Sequence, residues 1–410
     1  MNRVLILCLV LGGLSLGSCR PSEPESYELK EIPFPGLTKS SLPVLSSDDS
    51  SLIFSWVSML DDNTVQFSYA FLENGERWSE PTSIIKGSDW FVNWADYPAI
   101  VQNKGNLLSY ILQKSSGGKF SYDVKLNTLV KGGGEWETGL PLHTDSTFTE
   151  HGFLSAIPLS DSTYSVTWLD GRNKGGGGHD HSGHAGAMSL RVAEVNLKGK
   201  VISDVELDDK TCDCCQTTSA LTDQGPVILY RNRSDEEIRD IAITRQVNGK
   251  WTEPKIIHAD GWKIAGCPVN GPRAAAINST VLVGWFTASG DSPQVQFAFS
   301  DNSGESFKAP VTVEGKVIGR VDVALLDSKT GIVSWMETLE EGTFILAAKI
   351  NADGKMGTTV KISSIDPSRK SGFPQMEVLG DRVYFAWTEV IDESSTIRTA
   401  YFPANGFELF

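Results

Sequence analysis

The sequence predicts an all-β fold, on three observations. From residue 40 onward the chain repeats a pattern at a period of about 50–60 residues, the spacing of propellers and other arrays. The repeating segments are rich in Val, Ile, Phe and Tyr and are punctuated by Gly, Asn and Asp, the composition of strands and tight turns. Nowhere do apolar residues recur at helical spacing.

The clearest element of each unit is an apolar strand that ends near an aromatic residue. In order these are Ser51–Val57, Asn106–Leu112, Thr163–Leu169, Pro226–Arg231, Thr280–Phe286, Thr330–Met336 and Asp381–Thr388. Their aromatics are Trp56, Tyr110, Trp168, Tyr230, Trp285, Trp335 and Trp387. Seven such strands imply a single β-propeller over residues 28–410, with seven four-stranded blades around a channel and six as the alternative count. The last unit, ending at Ile397–Phe402, is one strand short. Tyr27–Pro33 belongs to no unit, so it is expected to pair with the last blade and close the ring, removing an open edge.

Several units end in a shared phrase. Asn74-Gly75-Glu76-Arg77-Trp78 and Asn248-Gly249-Lys250-Trp251 nearly superimpose, and Gly134-Glu135-Trp136 is a looser copy. The fifth unit carries Ser300-Asp301-Asn302-Ser303-Gly304-Glu305-Ser306-Phe307. With Ser300, Asn302, Gly304 and Phe307 at its marked positions, that stretch resembles the Asp-box of sialidases and related propellers. It departs at Asn302, where an aspartate is usual. An Asp-box marks an outer hairpin and implies architecture without chemistry.

The N-terminus reads as an export signal. Arg3 precedes an apolar run, Val4 to Leu16, too short to span a bilayer as a permanent helix. Leu16-Gly17-Ser18-Cys19 resembles the lipobox of bacterial lipoproteins. That resemblance implies removal of residues 1–18, acylation of Cys19, a polar tether over residues 19–27, and an exported protein lipid-anchored to the cell envelope at the outer membrane. The formal net charge is −15 and becomes −16 when Arg3 leaves. So acidic a chain, with no basic run, is a poor partner for nucleic acid, and a monomer is expected.

Of six cysteines, Cys8 leaves with the signal and Cys19 takes the lipid. The remaining four are Cys212, Cys214, Cys215 and Cys267. In an oxidising compartment they form either disulfides, with one run cysteine bonded to Cys267, or a soft metal site. In a propeller the segment entering each first strand and the loop after each second strand share one face. The entries include Asp96, His151, the cysteine run, Cys267 with Asn270, and Arg320. On the same face the third blade inserts a glycine loop bearing His179, His181 and His184. Thiolate and imidazole together suit copper or zinc, and the bland alternative is disulfides beside a solvated loop. Arg231 and Arg233 could bind a carboxylate, and Glu236 or Glu237 could serve acid–base work. The alternative there is a salt-bridged turn, and Asp170-Gly171-Arg172 could face it.

Over nearly its whole mature length the chain resembles the sialidase superfamily, with degenerate motifs. The resemblance implies glycoside hydrolysis with three arginines on a substrate carboxylate, a Tyr–Glu nucleophile pair and an Asp acid/base. The early arginine motif is replaced by Glu31-Ile32-Pro33, and between Pro21 and Glu150 the only arginine is Arg77. Sialidases also have six blades. A more local resemblance, to exported sialidase-like bacterial propellers, rests on Cys212-Asp-Cys-Cys-Gln216, Glu237-Ile-Arg-Asp240 and Gly266-Cys-Pro-Val-Asn-Gly-Pro272. Three functions are therefore expected: an anchored binding protein with a Cys/His-rich metal or ligand site at the channel mouth, a sialidase-like hydrolase acting on glycans, or a scaffold for an envelope protein.

Overall fold

A computed structural model describes residues 27–48, 50–115, 118–174, 186–392 and 394–409. They form seven antiparallel sheets, each built of four successive strand positions around a ring. Blade one begins at Ser40–Ser47, blade two at Ala99–Asn103 and blade three at His151–Ser160. Blades four to seven begin at Thr218–Thr222, Arg273–Ile277, Val317–Leu325 and Gln375–Leu379. The seven-blade count stands, and the six-blade alternative falls. The expected ring closure is present too. Lys30–Ile32 is the fourth strand of blade seven, with Lys30 opposite Tyr401 and Ile32 opposite Thr399. The Thr399 hydroxyl, donating to the Ile32 carbonyl, also accepts from Trp78 Nε1 of blade one, so the seam is hydrogen-bonded on both sides.

The core lies between blades, where the face of one sheet meets the next. All seven repeat aromatics are buried there. Tyr110, for example, packs with Trp168 between blades two and three, and Phe297 with Trp335 between blades five and six. Each aromatic fills the wedge that opens between radially splayed sheets, which is why it recurs once per unit.

The shared phrases are hairpin turns. Asn74 and Gly75 have φ of 54° and 73°, and Asn248 and Gly249 have 52° and 75°. Two consecutive left-handed residues match the twist of the strands they join. In the Asp-box turn, Ser300 Oγ accepts from Gly304 N at 2.9 Å, and Asn302 Oδ1 accepts from Ser306 N at 3.0 Å. A Cβ on Gly304 would come within 2.6 Å of Ile243 in blade four, so a close blade contact and a φ of 79° both require glycine there. Among the described residues no helix is long and apolar enough to cross a membrane.

Candidate functional site

The innermost strands of blades one, three and six each carry an irregularity at the same place, between Ser41 and Val44, Gly152 and Ser155, and Gly319 and Asp322. Leu42, Phe153 and Arg320 sit there at φ of 58°, 54° and 51°. Each frees one N–H, and a side chain of the preceding blade accepts it. Thr388 Oγ1 accepts from Leu42 N at 3.3 Å, Asp96 Oδ1 from Phe153 N at 2.7 Å, and Asn270 Oδ1 from Arg320 N at 2.9 Å. Asp96 Oδ1 and Asn270 Oδ1 thus satisfy the next blade's backbone. Gly152 lets Asp96 reach this position, since a Cβ on it would lie 1.9 Å from Asp96 Oδ2.

The four mature cysteines are brought together as the sequence analysis expected, and all four are free thiols, with no bond from the run to Cys267. Their loops deliver them from adjacent blade entries. Cys212 N donates to Arg231 O at 3.0 Å, fixing the run against the end of the blade-four second strand, Gly225–Arg231. Cys212 Sγ lies 3.6 Å from Cys215 Sγ and 4.0 Å from Cys214 Sγ, and the three sulfurs all lie within 4.8 Å of one another. Cys267, partly exposed, reaches the Cys214 sulfur from the blade-five entry. Hydrogen bonds with Cys214 and Cys215, then the charges of Arg239 and Arg231, hold the Cys212 thiol well below its ordinary pKa. Burial pushes Cys214 up and Cys215 up to about 12. Arg239 Nη1 donates to Cys212 Sγ at 3.1 Å, so Cys212 is the sulfur of the run most favoured as a thiolate.

The arginine turn of blade four supports this cluster, and the carboxylate-binding expectation for Arg231 is corrected. Arg231 is 1% exposed and donates to the carbonyls of Arg239 at 2.6 Å, Phe286 at 2.7 Å and Asn270 at 2.8 Å, with Trp262 against its face. Those donors are spent on backbone. Arg233 and Arg239 both engage Glu237, at 2.8 and 2.6 Å. Hydrogen bonds from the two arginines overcome the burial that would raise the Glu237 pKa and leave it lowered, so Glu237 stays a carboxylate and is no general acid. Glu236 is exposed and outside the cluster. Arg320 is likewise structural. It donates to Ser371 Oγ, Gly372 O and Ser368 O, and lies over Trp94. A chain of charges joins these groups to blade three: Arg233 lies 3.8 Å from Asp213, and Lys174 lies 2.7 Å from it.

His151 opens the first strand of blade three and packs inward. It is fully buried, with its ring stacked on His143 at 3.8 Å and its Nε2 3.2 Å from Asp145 and 3.6 Å from Asp170. Asp170 and Arg172 belong to this cluster, paired at 2.6 Å, and do not face the blade-four turn. His143 and Asp145 escaped the sequence reading because they lie in a connection between blades, outside the repeat. Cys19, His179, His181 and His184 lie outside the described residues.

The channel holds a cavity of about 170 Å³ on the entry side and one of about 850 Å³ on the other, both lined by Arg273. Asp96 lines the smaller one. Burial raises the pKa of Asp96 to about 7 and of Glu150 to about 8, and the Tyr122 hydroxyl lies 2.8 Å from Asp96 and 3.0 Å from Glu150. At the larger cavity burial lifts Glu377 to about 7. These carboxyls bind protons in the folded state that the unfolded chain, with ordinary values near 4, has already released. Stability is therefore expected to fall as pH rises from about 5 to 8, by up to about 1.4 kcal/mol per pH unit for each such group. The depressed Glu237 and Asp170 titrate below that window and do not oppose the trend. Asp96→Asn keeps an acceptor for Phe153 N and removes one titration. Its denaturation midpoint should vary less with pH than the parent's, and an equal slope would refute the assignment.

No family model matches the chain, and no curated protein matches it. Solved structures do. A protein of unknown function from Dyadobacter fermentans is 12% identical, with a TM-score of 0.51 over 91% of this chain and 98% of its own. The endosialidase of phage phi92 is 10% identical, with a TM-score of 0.51 over 92% of this chain and 69% of its own. An α-L-arabinanase of Penicillium chrysogenum is 12% identical, with a TM-score of 0.48 over 94% and 100%. At such identities the likeness is one of architecture, and in architecture this chain is a seven-bladed β-propeller.

Proposed function

We propose that this chain is an exported binding protein, lipid-anchored through Cys19, that takes up a soft metal ion, copper(I) or zinc, at the channel mouth. The observation that carries the reading is the thiol cluster: Cys212, Cys214 and Cys215 are buried, unbonded and mutually within 4.8 Å. Sulfurs bound to one such ion at roughly 2.3 Å sit just under 4 Å apart, so the cluster needs little rearrangement to bind. Arg239 and Arg231 offset the negative charge that accumulates as further thiols ionise on binding. Metal analysis of protein purified under reducing, chelator-free conditions tests it. One thiol-bound ion per chain is expected, lost when Cys212, Cys214 and Cys215 are replaced by serine, and its absence from fully reduced protein overturns the reading. Loss of acyl labelling in Cys19→Ser tests the anchor.

A sialidase-like hydrolase is the second reading. It draws on the shared propeller fold and on Asp96, whose raised carboxyl at the cavity has the protonation of a general acid. Turnover of any member of a glycoside panel, abolished in Asp96→Asn, would favour it over the first.

A further inference from the structure

We infer that the His151–Asp145–Asp170 cluster is a second metal site, for a divalent ion bound by nitrogen and oxygen, independent of the thiols. His151 Nδ1 lies 3.2 Å from the carbonyl oxygen of Tyr122, which only an N–H can satisfy. In the neutral ring Nε2 then carries a lone pair. That atom is buried and has no hydrogen-bond partner, yet it faces Asp145 Oδ2 at 3.2 Å and Asp170 Oδ1 at 3.6 Å. Three electron-rich atoms within 4.8 Å of one another form a ready ligand set for a cation.

His143 does not supply it. Val124 N donates to His143 Nε2 at 3.4 Å, so Nδ1 carries the hydrogen and donates to Asp145 Oδ2 at 2.7 Å. Arg172 offsets part of the carboxylate charge, with Nη2 at 2.6 Å from Asp170 Oδ2 and 3.6 Å from Asp145 Oδ2 and Nε at 2.8 Å from Asp170 Oδ1, but His151 Nε2 is left without a hydrogen-bond partner.

The donor spacing suits a metal. An ion about 2.0–2.2 Å from each ligand sets neighbouring ligands roughly 3.0–3.5 Å apart. The surroundings are those of a ligating shell. The far nitrogen of His151 donates to a carbonyl, Asp145 Oδ1 accepts from Thr147 N at 3.0 Å, and Asp170 Oδ2 accepts from Trp168 Nε1 at 2.8 Å. A proton on Nε2 is the competing occupant, but the ring lacks hydrogen-bond geometry to either carboxylate. One imidazole and two carboxylates favour zinc(II) or manganese(II) over copper(I).

The test removes the other candidate ligands. Chelator-stripped full-length protein carrying serine at Cys212, Cys214, Cys215, Cys267, His179, His181 and His184 is titrated calorimetrically with zinc(II). One equivalent is expected, lost in a further His151→Gln and weakened at least tenfold by Asp145→Asn. If that parent fails to fold, cobalt(II) added to the wild type separates the sites, because thiolates give strong charge-transfer bands and nitrogen–oxygen sites only weak visible ones. Loss of the weak bands alone in His151→Gln supports the site. Equal binding with and without His151, or a His151 ring that nuclear magnetic resonance shows protonated and indifferent to zinc, overturns it.

Discussion

Arg231→Met is expected to lower the stability of the chain by about 3–5 kcal/mol, the cost typical of breaking a buried, fully engaged polar network. The guanidinium ties together carbonyls from blade four (Arg239), the blade-five entry (Asn270) and the end of the blade-five second strand (Phe286). Methionine fills similar volume but donates nothing, so three buried carbonyls lose their partner at about 1–3 kcal/mol each before relaxation. The sequence reading of Arg231 as a ligand-binding residue makes the opposite forecast, since a residue aimed at solvent can be replaced with little effect on folding. Chemical denaturation decides between them. A loss under about 0.5 kcal/mol, the range of ordinary surface substitutions, would return Arg231 to the binding face.

Cys212→Ser should weaken copper(I) or zinc binding at the thiol cluster by at least about 100-fold, equivalent to roughly 2.7 kcal/mol. Cys212 lies 3.6 and 4.0 Å from the other two sulfurs of the run, and hydrogen bonds with them and with Arg239 favour its thiolate. Serine keeps the volume and loses the soft donor. Cys267→Ser should cost less, about tenfold, because Cys267 touches the cluster only through Cys214. Competition against a chromophoric chelator measures both. Equal affinities in the wild type and Cys212→Ser would remove the thiol cluster from the proposed function and leave the His151 site untouched.

The propeller was legible in the sequence because each blade makes the same local demands. A wedge between splayed sheets needs an aromatic at the end of the second strand, and a twisted hairpin needs Asn-Gly, so Trp56, Trp168, Trp285 and the phrases at Asn74 and Asn248 recur in register. The unmatched Tyr27–Pro33 segment and the short last unit together specified the closure. The meeting of Cys212–Cys215 with Cys267 followed from the same register, since aligned entries of adjacent blades are neighbours.

What the tertiary structure alone decided is the job of each polar residue at those entries. Asp96 and Asn270 both lie at blade entries, but whether such a side chain meets a ligand or a backbone N–H depends on the next blade's bulge, and three blades bulge while others do not. The pairing of His143 and Asp145 with His151 arises in a connection that no repeat constrains. The sequence by itself determined the ring, because a ring is the same short-range pattern met seven times. The site was decided in three dimensions, because it consists of the contacts by which one blade differs from the next.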